Sequence, residues 1–213
     1  MDVPDALASA AAGMIAQRDR LDEIAENLSN AATPGFRPRR ELQFGFGSQL
    51  RTASAMSQAQ GPLRRTGVAT DLALLGPGYF ALAGANGVEY TRDGRMVVDP
   101  DGYLCDVRGK RVLGSLGPVR WPRGASVHAD GRIIVDGRVV DRLRIVEPDG
   151  RTLQRAAASV RSGYLEESGV EPIAEMTALV GAERAYEANQ KTAQREDELL
   201  RRVTTDVPAV ARA

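Results

Sequence analysis

The chain is short of the residues from which active sites are usually built. Its 213 residues include one histidine, His128, and one cysteine, Cys105. A lone cysteine excludes an intrachain disulfide and a cysteine metal cluster. A Ser-His-Asp or Cys-His site would have to be built on His128. Its neighbour Ser126 has no nucleophile-elbow motif around it, and Asp130-Gly131 just after it makes His128 a turn residue. Excess charge of one sign is also missing, since 28 basic residues balance 28 acidic ones. That argues against nucleic acid as a partner and against a polybasic membrane patch. Aromatic residues make up only 5%, so the core is expected to be modest. No apolar stretch approaches the roughly 20 residues that span a membrane, so no direct membrane insertion is expected. Met1-Asp2-Val3-Pro4-Asp5 lacks the basic start and apolar core of a secretory signal. The expectation is a chain that stays in the cytoplasm or is exported without a cleaved signal peptide.

What the chain does have is a seven-residue apolar repeat at each end. Leu7, Met14, Leu21 and Leu28 are seven apart, and Ala10 and Ile24 follow two of them by three. Near the other end, Leu179, Tyr186, Ala193 and Leu200 repeat the spacing, with Ala182, Asn189, Glu196 and Val203 three residues after each. Such seams suit helices that pack lengthwise on other helices. Each run of about four heptads would extend roughly 40 Å. A polar residue on a seam, here Asn189, costs stability but can fix register. Thr33-Pro34-Gly35 stops the first helix, because proline removes a donor and disfavours helix in the residue before it. Glu171-Pro172 starts the second. The alternative is a pair of ordinary amphipathic helices packed on one domain.

Turn dipeptides crowd the middle: Asn86-Gly87, Asp93-Gly94, Asp101-Gly102, Arg108-Gly109, Asp130-Gly131, Asp136-Gly137 and Asp149-Gly150. They supply the positive φ of tight hairpins, and short apolar runs lie between them. The expected fold class is therefore α+β. N- and C-terminal α-helices form a coiled-coil-like assembly domain, with an inserted all-β domain, an antiparallel sandwich or open barrel. The expected segments are 1–36 (assembly helix), 37–65 (extended arm), 66–165 (β domain) and 166–213 (second assembly helix and tail). Asp99-Pro100-Asp101-Gly102 resembles a calcium loop only in part, because Pro100 intrudes and apolar residues follow. Gly76-Pro77-Gly78 lacks the third glycine of a phosphate loop and leads into a strand-like run. No catalytic, cofactor or metal residue can be named, and the chain is not expected to be an enzyme.

Four blocks together resemble the bacterial flagellar basal-body rod and hook proteins. Asn27-Leu28-Ser29-Asn30-Ala31-Ala32-Thr33-Pro34-Gly35-Phe36 is similar to the N-terminal signature of that family. Asp71 through Phe80, including Gly76 and Gly78, resembles its second block, and Thr91-Arg92-Asp93-Gly94 its third. Leu165-Glu166-Glu167-Ser168 and Arg184-Ala185-Tyr186 resemble the C-terminal block. Ala69-Thr70 and Gly169 depart from the family pattern. Gly114 to Val119 and the compact β domain look most similar to the proximal-rod member, with the distal-rod member second.

The resemblance implies a structural, torque-transmitting rod subunit without cofactors, located in the basal body where the rod crosses the periplasm. Its partners would be other rod subunits and the flagellar type III export apparatus. The terminal helices would pack into the inner tube; independently, the seams make Leu7, Met14, Leu21, Ile24, Leu28, Leu179, Tyr186, Asn189 and Leu200 the expected subunit interface, ordered when neighbours bury it. A distal-rod or hook-type subunit, or a non-flagellar coiled-coil tail or secretion component, is the alternative. A β-domain hydrolase is disfavoured for want of unassigned carboxylates or histidines.

Overall fold

A computed structural model describes residues 3–46, 49–57, 59–147 and 158–206. Among these residues it is an α+β structure of two helices and fourteen short strands. Helix α1 runs Val3–Ser29 and helix α2 runs Pro172–Asp206. Between them lie β1 (Arg39–Phe46), β2 (Gln49–Met56), β3 (Leu63–Arg65), β4 (Leu72–Leu75), β5 (Tyr79–Gly84), β6 (Gly87–Thr91) and β7 (Met96–Val98). They are followed by β8 (Leu104–Asp106), β9 (Ser126–Val127), β10 (Arg132–Val135), β11 (Arg138–Arg142), β12 (Ile145–Val146), β13 (Ser159–Ser162) and β14 (Tyr164–Glu166). Two compact units result. One comprises residues 1–29, 40–54 and 171–213; the other comprises 30–39 and 55–170.

In the helical unit α1 and α2 pack on one another and run antiparallel. Asn27 Nδ2 donates to Glu175 Oε1 at 3.3 Å, and fourteen residues away along both helices Gly13 faces Asn189. Fourteen residues is two heptads, so the two repeats stay in step. Within the chain, then, the seam of one helix faces the seam of the other. Met14, Leu21, Leu28, Leu179, Tyr186 and Asn189 are half-buried, and Ile24 is buried. The side chains of Leu7 and Leu200 lie outside the described residues. The stretch expected as an extended arm, 37–65, holds strands β1, β2 and β3. Strands β1 and β2 pair with each other, and residues 40–54 belong to the helical unit rather than standing apart.

In the β unit every described strand pair is antiparallel, and the sheets are small. Their orders are β11-β10-β9, β12-β5-β6, β13-β4, β14-β3 and β7-β8. The Asp136-Gly137 turn joins Val135 to Arg138 with φ of 49° and 77°, the doubly positive pair that a two-residue hairpin of this twist demands. Asp93-Gly94 works otherwise. Gly94 does not have a positive φ; a Cβ there would lie 1.7 Å from the Leu72 carbonyl oxygen, so only glycine lets the loop between β6 and β7 approach β4. Asp149-Gly150 lies outside the described residues. One core gathers Leu72, Leu74, Phe80, Leu82, Met96, Leu104, Val112, Val119, Ile133 and Leu143, each at most 3% exposed.

Candidate functional site

The residues singled out for chemistry do structural work. His128 is exposed, and its Nδ1 sits 3.1 Å from Asp130 Oδ1. Asp99 closes its own turn, where Oδ1 accepts the Tyr103 N–H at 2.7 Å and Oδ2 accepts Arg111 Nε at 3.0 Å. The Tyr103 N–H and the Arg111 guanidinium hold the Asp99 carboxyl below its usual range. Burial, reinforced by Asp99, pushes the Cys105 thiol up, which keeps it in the unreactive protonated form.

Two other arrangements concentrate the sequence motifs. The first is the helix seam. It buries small and polar groups, with Ala182 and, near one end, Asn27 each 2% exposed. A Cβ on Gly13 would stand 2.9 Å from Asn189 Nδ2, so the glycine makes room for the seam's asparagine. The outer face of α2 is different. Ile173, Met176 and Val180 are 82%, 54% and 47% exposed and recur at three- to four-residue steps along one side.

The second arrangement is a buried ion pair in the β unit. Arg92 Nε lies 2.7 Å from Glu166 Oε2, with side chains 2% and 1% exposed. The rest of the guanidinium is spent on backbone carbonyls: Nη1 donates to Gly78 O, and Nη2 donates to Gly76 O at 2.7 Å and Leu74 O at 3.2 Å. Gly76 and Gly78 have φ of 94° and 119°, which turns these carbonyls onto the arginine. Glu166 is equally engaged, because Oε1 accepts the Gly61 N–H at 3.1 Å and its carbonyl accepts the Gly35 N–H at 2.8 Å. Burial lowers the Arg92 pKa from its ordinary value, and the Glu166 hydrogen bond and charge oppose that shift.

Four blocks scattered through the sequence therefore meet at one place: Gly35 from the first, Gly76 and Gly78 from the second, Arg92 from the third and Glu166 from the fourth. Around it, Thr91 Oγ1 caps the Asp93 N–H, and Ser168 Oγ accepts the Val170 N–H. Asn30 Oδ1 accepts the Thr33 hydroxyl and Thr33 O accepts the Phe36 N–H, which closes the turn through Pro34. Phe80 and Leu165 are in the interior, and Asp71 O accepts the Gly163 N–H. Arg184 stands apart, exposed on α2. Nothing local in the sequence marks Arg92 and Glu166 as partners, since 74 residues separate them. The one signal was that both fall inside motif blocks.

Comparison with known proteins covers nearly the same ground. Residues 7–37 match the family described as "Flagella basal body rod protein". Residues 73–140 match "Flagellar hook protein FlgE/F/G D1 domain", and residues 161–206 match "Flagellar basal body rod FlgEFG protein C-terminal". The chain is 32% identical over 227 residues to the flagellar basal-body rod protein FlgF of Caulobacter vibrioides, covering 86% of this chain and 90% of that one. It is 31% identical to FlgF of Salmonella typhimurium, covering 82% and 86%. Identity to FlgG of Borreliella burgdorferi is 27%, covering 92% and 96%.

Proposed function

The chain belongs to the flagellar basal-body rod protein family and is a structural subunit rather than an enzyme; from that premise we propose that its helix pair polymerises through its outer faces. The observation that carries this is the exposed stripe of Ile173, Met176 and Val180 on α2, joined by Ile15 on α1 at 62% exposure. The seams already face each other within the subunit. The apolar surface left for neighbouring axial subunits is therefore on the opposite sides of the helices. The pair behaves as a coiled-coil-like building block whose ordering is completed when neighbours bury those sides, because helices in proteins draw most of their stability from tertiary packing. Subunits joined head to tail in this way give an open, shaft-like assembly.

Rod subunits lie outside the cytoplasm. No described helix is long and apolar enough to cross a membrane. Passage through the flagellar export apparatus is the route this reading implies. The higher identity to FlgF than to FlgG supports the likeness to the proximal-rod member.

The test is a Val180→Asp substitution in a host whose own copy is deleted. The variant should be made and folded, fail to enter purified basal bodies and leave the cells non-motile. Full motility would overturn the outer-face assembly.

A further inference from the structure

The chain passes between its two compact units four times, after Ser29, Arg39, Ser54 and Val170. Inside the β unit, every segment flanking a passage is tied to the Arg92–Glu166 pair. The stretch 30–39 is held by the Gly35 N–H on Glu166 O, and a Cβ on Gly35 would lie 2.5 Å from the Arg92 backbone carbonyl, so these two backbones touch. The stretch after Ser54 is held by the Ser57 N–H on Pro38 O at 2.8 Å and by the Gly61 N–H on Glu166 Oε1. The stretch before Glu171 contains Glu166 itself, and there the Gly169 N–H donates to Phe36 O at 2.9 Å. Arg92 then fastens this bundle to the 74–78 turn, which leads directly into the core strand β5.

We propose that the Arg92–Glu166 pair is a mechanical clamp, which makes the four chain passages one stiff end-piece of the β unit so that load on the helices is not carried by four separate threads. The proposal rests on the rod function stated above. Stability alone does not explain the pair. A buried ion pair can often be replaced by apolar residues of similar volume without loss. What an apolar pair cannot do is bond Leu74, Gly76, Gly78 and Gly61 in fixed directions. Directional hydrogen bonds from a planar guanidinium resist sliding, whereas apolar contacts do not. Arg92 and Glu166 are thus positioning residues, acting on the geometry of the passages.

The test uses the full chain and two variants, Arg92→Lys, which keeps the charge and loses the planar fork, and Glu166→Gln, which keeps the shape and loses the charge. Site-resolved amide exchange should rise roughly tenfold or more at Gly35 and Gly61, while the core amides of Ala81 and Leu104 change by less than about threefold. Should Arg92→Lys fail to fold, Glu166→Gln gives the same reading. Equal acceleration at the clamp glycines and the core, or none at the glycines, overturns the clamp. In complemented cells the variants should swim normally in thin medium and slow more steeply than wild type as viscosity rises. Loosened glycines with wild-type swimming at every viscosity also overturn the proposal. If the wild-type chain itself does not restore motility to a deletion strain, the rod function fails instead, and the exchange result still decides whether the clamp exists.

Discussion

The β unit and the helix pair bury their apolar residues to very different degrees. In the β unit Leu72, Phe80, Leu104, Val112, Val119, Ile133 and Val146 are all 0% exposed. Among the described residues of the helical unit, the buried apolar side chains are Ile24 and Ala182, and large ones such as Ile173, Met176 and Ile15 lie half or more in water. Burial stabilises by about 25 cal/mol for each Å² removed from water. The β unit has collected much of that contribution in one core, although side chains such as Val107, Leu116 and Val139 remain exposed. The helix pair has collected part of it and leaves the remainder for whatever packs on its outer side. One chain thus combines a unit with a closed apolar core and a helix pair with little buried apolar surface, the contrast on which the proposed assembly rests.

The contrast can be broken most forcefully at the core. Phe80→Ala should cost about 3–5 kcal/mol in urea unfolding, the range for a large aromatic removed from a packed interior. Leu21→Ala on the half-buried seam should cost the free chain about 1 kcal/mol or less. Equal losses at the two sites would show that the helix pair is as complete as the β unit.

Next in size is Gly35→Ala. The position has φ of 68° and touches the Arg92 backbone, so strain and overlap add. A loss of about 2 kcal/mol or more is expected by the same measurement. A neutral result would mean that the 34–38 turn can move off Arg92, which would weaken the clamp as well.

Much of this arrangement could be read from the sequence where the cause is local. The ends of α1 and α2 follow from Pro34 and Pro172, and the Asp136-Gly137 hairpin from its turn chemistry. The β1–β2 pair was missed although Leu42, Phe44 and Phe46 alternate with Glu41, Gln43 and Gly45. The surrounding arginines and the Ser/Ala/Gln stretch drew the reading toward a linker. The facing of the two seams could not be decided, because periodicity shows that a helix has a partner and not which chain supplies it. The ion pair was out of reach for another reason. Arg92, just after β6, and Glu166, in β14, belong to different sheets and meet through the tertiary fold across 74 residues, and no spacing rule extends that far.

A smaller effect sharpens the contrast from the helical side. Ile173→Ser removes an exposed apolar side chain, so the free chain should melt within about 0.5 kcal/mol of wild type. Rod incorporation measured in basal bodies should nevertheless fall. Loss of folding in the free chain would indicate that Ile173 already has a partner within the subunit.

The smallest effect belongs to the β unit. The Asp99 carboxyl is held below its usual range by the Tyr103 N–H and the Arg111 guanidinium. A depressed carboxyl stabilises the folded state above its ordinary pKa near 4, and that contribution is lost as pH falls through the lowered value. Asp99→Asn keeps an oxygen for Tyr103 but not the charge for Arg111. Its melting temperature should therefore sit slightly below wild type at pH 7, and the gap should close as pH falls below about 4. A constant gap across that range would assign the effect to shape rather than charge.

Amide exchange of the free full-length chain and of the chain in purified rods tests the central claim most directly. The account predicts that the β5 and β10 amides are slow in both states, while amides of residues 11–28 and 175–196 exchange quickly in the free chain and slow by roughly a hundredfold or more in the rod. Helix protection in a verified free monomer already equal to that of the β core would contradict it, because the helix pair would then be a finished intramolecular structure with nothing left for assembly to complete.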